Sequence, residues 1–377
     1  MSKKEYWFTR ERLFPGFDGK TCKIQPQIMF DGEKTAFLRY DMLLLTGSDV
    51  FVNAYISKSE DGGKTFGKPE PFPYLETHEN GIRTILYCVQ GFYNKVHKKW
   101  MILSASSSYE NDKYPIMVND ISVSKPYLSI LDPDHHLDKR EETEIPFPFP
   151  YYSATPFSPP YLFENGDVLI TFYYNGPGYH RARVVSIRYA LEGNALRIVK
   201  VGEPLIGEQY CRGFCEPSLI KFGEKYYLTL RTDEIGLLST SEDGYHFSEP
   251  KPWVWDDGSV LENYNTQQRW VRSANSLYLV YTRKNGHNGH VFRHRAPLYI
   301  TRFDEERQCL IRAEEEILVP ELGARLGNFT VTDVSDKESW VVVAEWMQNL
   351  GCEIEQKVGC ETYGSDNSIW RSKVLFE

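Results

Sequence analysis

A closed all-β architecture, a β-propeller of six four-stranded antiparallel blades, is what this 377-residue sequence predicts. Three observations lead there. Strand-like runs recur along the whole chain, among them TAFLRYDMLLLT, KWMILSASSS, VLITFYYN, KYYLTLRT, SLYLVYTR and SWVVVAEWM. Each is short, rich in β-branched and aromatic side chains, and bounded by Gly, Asn, Asp or Pro. No dozen-residue window sustains a 3.6-residue period; the nearest, AEEEILVPEL, carries Pro320, which would stop a helix almost as soon as it began. Finally, a turn segment from Ser59 to Phe66 has a shorter second copy from Ser241 to Phe247, a separation of about three repeats of a roughly 60-residue unit.

Composition supports one large unit spanning residues 1–377. Hydrophobic residues make up 41% and aromatics 14%, with 25 Tyr, 21 Phe and 8 Trp, ample for a core without covalent staples. Closed all-β architectures commonly run this long as one domain. The formal charge of −9, from 52 acidic against 43 basic residues, contains no long single-sign run, which excludes a nucleic-acid-binding stripe. Any cluster of arginines must therefore be assembled by folding.

Seven cysteines (22, 88, 211, 215, 309, 352 and 360) follow no disulfide spacing and predict a reducing compartment. Cys211, Cys215 and His246 lack the second ligand pair of a zinc site, so buried, inert thiols are expected and no metal or cofactor is assigned. The start MSKKEYWFTRERLF has no apolar leader run, and no segment reaches membrane-spanning length. These features predict a cytoplasmic protein with neither membrane nor nucleic acid as partner.

The turn Ser59-Glu60-Asp61-Gly62-Gly63-Lys64-Thr65-Phe66 predicts architecture rather than chemistry. Its carboxylate, at Asp61, would accept backbone N–H groups, glycine would supply a positive φ, and Phe66 would pack beneath. Asp243 takes the same place in Ser241-Glu242-Asp243-Gly244-Tyr245-His246-Phe247, which lacks the Thr. Blades are expected near 21–75, 80–146, 150–205, 208–255, 258–320 and 325–377, with the tail NSIWRSKVLFE as a candidate closing strand.

The segment at Ser59 resembles the Asp-box, S-x-D-x-G-x-T-W/F, of sialidases and related propellers. That resemblance implies a glycan substrate and a site at the channel mouth, where blade starts converge. In the family a Glu opens a blade, an Arg follows on the next strand, and an Asp-box closes the unit; Glu216, Arg231 and Asp243 look like that series. Arg231 would grip a substrate carboxylate and Glu216 would orient the attacking group, although a structural ion pair is the alternative reading. Arg212, just before Glu216, would join Arg231 in binding the substrate. The general acid of the family corresponds to Asp49, between TAFLRYDMLLL and VFVNAYISKS. The Arg-Ile-Pro motif is replaced by Lys23-Ile24-Gln25-Pro26, and Lys lacks the planar fork that binds carboxylate in bidentate fashion. Ordinary sialosides are accordingly predicted to be poor substrates. The family's Tyr nucleophile has no clean match: Phe329 stands in the comparable place, leaving Tyr264 and Tyr363.

Two further clusters attract attention. Arg269 begins a blade, and the loop Asn285 to Arg295 carries His287, His290, His294, Arg293 and Arg295 among Gly and Asn. Arg269 and Arg293 would join Arg231 around an anion, Tyr264 would contact the sugar, and His290 would serve as an alternative general acid or base. A solvated polar loop explains the same composition. The resulting expectation is a glycosidase acting on a sialic or uronic acid-containing glycan, with a propeller-type polysaccharide lyase and a non-catalytic glycan-binding propeller as alternatives.

Overall fold

The computed structural model describes residues 6–118, 120–131, 140–348 and 360–377. Within them six antiparallel sheets are arranged as the blades of a propeller. Blade 1, from the axis outward, comprises Thr21–Phe30, Ala36–Leu44, Phe51–Ser59 and Glu70–Pro71. Blade 2 comprises Ile82–Asn94, Lys99–Tyr109, Pro126–Leu131 and Arg140–Glu144; blade 3 comprises Ser153–Leu162, Val168–Gly176, Tyr179–Glu192 and Ala195–Val201. Blade 4 is built from Cys215–Phe222, Lys225–Arg231, Gly236–Ser241 and Lys251–Pro252, and blade 5 from Arg269–Arg272, Leu277–Tyr281, Leu298–Asp304 and Cys309–Leu310.

Blade 6 closes the ring, and here the expectation is corrected. Its inner strands are Phe329–Ser335, Glu338–Ala344 and Ile369–Phe376, but the outermost is the N-terminal Tyr6–Leu13, paired from Tyr6↔Phe376 to Leu13↔Ile369. The chain's tail is thus the third strand, and its two ends are zipped together by main-chain hydrogen bonds, leaving no open blade. The AEEEILVPEL region forms the strand Glu316–Val319 just before Pro320.

A twisted sheet has two faces to bury, and each blade buries both against its neighbours. Six apolar layers result. Phe37 meets Trp100 edge-on at 4.8 Å between blades 1 and 2, Tyr161 meets Tyr226 at 5.6 Å between 3 and 4, and Trp253 meets Trp270 at 5.5 Å between 4 and 5. Phe147 packs on Phe172 between blades 2 and 3, Tyr6 on Tyr278 between 5 and 6, and Phe30 on Trp340 across the 6–1 closure.

Nearer the axis, side chains stitch innermost strands to those next door. Gln27 donates to Val89 O (2.7 Å), Thr229 to Gln268 O (3.1 Å), Gln267 to Gly327 O (3.0 Å) and Thr330 to Pro26 O (2.8 Å). Both predicted turns have the expected carboxylate geometry. Asp61 accepts from the Thr65 amide at 3.0 Å, and Asp243 from the amides of Tyr245 and His246 at 2.8 and 2.9 Å. Gly63 must be glycine: its φ is +73°, and a Cβ there would overlap Trp340 of blade 6.

Cys22, Cys88, Cys215, Cys309 and Cys360 are buried as expected, whereas Cys211 is exposed; Cys352 lies outside the described residues. No described helix is long and apolar enough to cross a membrane.

Candidate functional site at the channel mouth

All six innermost strands run the same way, so their first residues gather at one end of the channel. Three carry the same local device. Gln25, Ser158 and Glu216 have φ of 49°, 65° and 44°, each sits at a break in strand register, and each precedes a proline. A bulge re-aims the side chain, and the following Pro has no N–H to lose from the ladder. Gln25 and Glu216 consequently line the narrow waist of the channel, together with Val89, Phe157, Gln267 and Asn328.

Glu216 meets Arg231 at 2.5 Å, a pair formed between the first two strands of blade 4. Burial pushes the Glu216 carboxyl up, but Arg231, Arg295 and Arg212 together outweigh that penalty and hold it below the usual carboxylate range. Asn265 of blade 5 joins the cluster: its side-chain oxygen accepts from Arg231 Nη2 at 2.5 Å and its carbonyl from Arg295 Nη2 at 3.0 Å. Arg295 is 5% exposed, and burial followed by the proximity of Arg231 drives its pKa well down. Gly327 makes room for it, since a Cβ there would fall 2.5 Å from Arg295 Cδ.

Arg325, at the start of blade 6, is 4% exposed and stacks 3.7 Å over the Trp346 ring. It donates to Gln348 Oε1 at 2.8 Å, and Gln348 is tied in turn to Leu45 O. Burial lowers Arg325 to about 10. Among the described residues, neither Arg295 nor Arg325 has a carboxylate in ion-pair contact, and each buries an Nε without an acceptor. A buried guanidinium is costly unless something anionic reaches it. Arg293 feels the fields of Asp233, Arg295 and Arg325, which puts it in the same cluster. Arg212, by contrast, is neutralised by Asp233, with Nε donating at 2.9 Å.

Asp49 faces Arg325 from blade 1 on an exposed turn at φ 56°. Its carbonyl accepts from the buried Tyr109 hydroxyl at 2.9 Å and its carboxylate from Ser48 Oγ at 3.2 Å. Two half-buried tyrosines fill the arc between the carboxylates: Tyr87 within the field of Asp49, and Tyr173 within that of Glu216 and Arg231. Burial raises both phenols first, followed for Tyr87 by the neighbouring Tyr173 and for Tyr173 by Glu216.

Other expected residues are placed differently. His290 pairs with Glu321 at 3.1 Å and stacks on Tyr363 at 4.8 Å. Its loop is anchored by Asn288, 2% exposed, which donates to Ala296 O at 2.7 Å, while Gly286, His287 and Gly289 are exposed. Tyr264 is half-buried, with its ring edge-on to His294 at 6.1 Å and Lys284 over its face. Arg269 lies deeper, in the waist, where its guanidinium rests 4.4 Å over Phe157. Lys23 is turned away, its ammonium donating to Asn367 O at 2.9 Å between blades 1 and 6. Arg39 is locked to Asp41 by two 2.8 Å hydrogen bonds.

The fold has relatives among solved structures. A protein of unknown function from Dyadobacter fermentans superposes with a TM-score of 0.63 at 14% identity, covering 98% of this chain and 99% of its own. The intramolecular trans-sialidase from Ruminococcus gnavus, in complex with oseltamivir carboxylate, gives 0.58 at 10% identity, with 94% of both chains covered. The fold is sialidase-like. An α-L-arabinanase from Penicillium chrysogenum complexed with arabinobiose shares it at 0.53 and 14% identity, over 99% of each chain. No protein-family model and no curated protein sequence matches the chain.

Sequence reasoning named Arg295 within its loop without giving it a role, and did not single out Arg325, Tyr87 or Tyr173. Arg325-Leu326-Gly327 held a signal, because a glycine two residues from an arginine at a blade start marks a close approach. The tyrosines gave none, being two among 25.

Proposed function

We propose that the protein is a glycosidase whose channel mouth binds a carboxylate-bearing sugar, a sialic or uronic acid unit. The observation that carries this reading is the pair of buried guanidiniums, Arg295 and Arg325, that lack a carboxylate partner among the described residues beside the ion-paired Arg231. Together with Arg293 they form a cationic socket, and a substrate carboxylate would supply the missing anion. Arg231, already engaged by Glu216, holds the socket's geometry on the blade 4 side.

Roles follow from exposure and, for Glu216, from its charge. Asp49, exposed at the rim opposite Glu216, is the group able to reach a departing glycosidic oxygen and protonate it. Glu216 stays ionised and so acts as a base or charge partner. Tyr173 is within its field; with Glu216 drawing off the phenolic proton, Tyr173 would attack the anomeric carbon, as a Tyr does in sialidases. Arg212, compensated by Asp233, and Tyr264, half-buried beside His294, border the sugar; His290 is held back by Glu321.

Product analysis tests the reading. Sialosides, uronides and neutral glycosides are incubated with the protein, and released sugar and ultraviolet absorbance are followed together. A new reducing end from an anionic glycoside, without absorbance, is the expected result, together with poor turnover of ordinary sialosides, since no Arg replaces Lys23 in the first blade. An unsaturated, absorbing product would mean elimination, and binding without any product would mean a lectin-like propeller; either would overturn it.

A further inference from the structure

A second cavity lies at the other end of the channel. It has a volume of about 350 Å³, against about 30 Å³ for the waist, and is lined by the far ends of innermost strands from all six blades. That volume falls within the ~300–1,000 Å³ usual for small-molecule sites. Its lining includes the aromatic residues Tyr161 and Trp270 and the basic residues Lys95 and Lys221.

Arg269 forms its floor. The side chain leaves blade 5, crosses in front of blade 4 and ends over Phe157 of blade 3, dividing the cavity from the waist. It is 2% exposed, its Nε donates to Gln267 Oε1 at 2.8 Å, and among the described residues Nη1 is buried without an acceptor. No described carboxylate pairs with it. The one acidic side chain lining the cavity, Asp333, is already bound by Arg272 at 2.9 Å. Burial lowers Arg269 to about 9, which leaves it charged at neutral pH.

We propose that this far cavity binds a small ligand carrying a carboxylate or phosphate, gripped by Arg269, with its body against the aromatic wall. The Arg fork suits both oxyanions. Arg269 also lines the waist beside Glu216, but the cavity is lined by none of Asp49, Glu216, Arg231, Arg293, Arg295 or Arg325, and the proposal does not depend on the glycosidase reading.

Titration calorimetry with D-glucuronate, inorganic phosphate and uncharged D-glucose tests it. The Arg295→Met/Arg325→Met double variant is used so that both guanidiniums lacking a described carboxylate partner are gone from the mouth. Saturable binding of glucuronate or phosphate, but not glucose, is expected, weakened at least about tenfold by adding Arg269→Met. Whichever anion binds more tightly identifies the head group as carboxylate or phosphate. The added Arg269→Met should leave the melting temperature unchanged or higher, because removing an unpaired buried charge is seldom destabilising. If that variant does not fold, Lys221→Glu at the rim should still weaken the anion several-fold. Failure of both anions to bind, binding of glucose as tight as glucuronate, or affinity indifferent to both substitutions would overturn the proposal. None of these outcomes bears on cleavage at the mouth.

Discussion

At the scale of single residues, the account separates groups that hold the fold from groups that are costly to it. Asp61 and Asp243 belong to the first kind. Both carboxyls are held far below the usual range by the hydrogen bonds of their turns; for Asp61 these come mainly from Thr65, and for Asp243 the amides of His246 and Tyr245 outweigh the effect of burial. A carboxylate with a depressed folded pKa contributes stability that is complete above its unfolded value, about 3.9. That contribution is lost as pH falls through the folded value. Asp61→Asn should therefore lower the melting temperature at neutral pH, with the gap to wild type narrowing below pH ~4; a gap independent of pH would contradict the turn assignment. Arg325 belongs to the second kind. Arg325→Met should abolish turnover of an anionic glycoside while leaving the melting temperature equal or higher, since the buried charge has no counterion among the described residues. A large loss of stability would show Arg325 to be a structural residue.

At the scale of elements, blades were more legible than their closure. Trp340 shows why packing dominates: 1% exposed, it wedges blade 6 against Phe30 of blade 1 and the Gly63 turn. Trp340→Ala should cost about 3–5 kcal/mol, read by denaturant unfolding. A cost below about 1 kcal/mol would mean that the 6–1 layer collapses around the void. The repeating strands and the turn at Ser59 could be read because their signals are local. That the chain's start forms the outer strand of blade 6 could not, because YWFTRERL matches any edge strand and its partner lies at the opposite end of the chain.

At the scale of the molecule, the mouth is assembled by convergence. Asp49, Glu216, Arg231, Arg293, Arg295 and Arg325 come from four blades, so their proximity depends on blade number and direction rather than on spacing. Glu216 and Arg231 were legible because one hairpin carries both. Arg269 was assigned to the mouth from its place at a blade start, but depth along a channel depends on how many residues precede the strand, and that is not encoded locally. Exchanging Tyr173 for Phe should lower kcat by roughly two orders of magnitude or more with little change in KM if it takes the glycosyl group; a change confined to KM would make it only a contact. The central claim is that Arg295 and Arg325, which have no carboxylate partner among the described residues, recognise a substrate carboxylate. It is tested most directly by comparing kcat/KM for an anionic glycoside and its carboxamide analogue, in wild type and in Arg295→Met. A preference of at least about a hundredfold for the carboxylate in wild type, collapsing in the variant, is the predicted result; equal use of the two substrates by wild type, or a preference untouched by Arg295→Met, would contradict it.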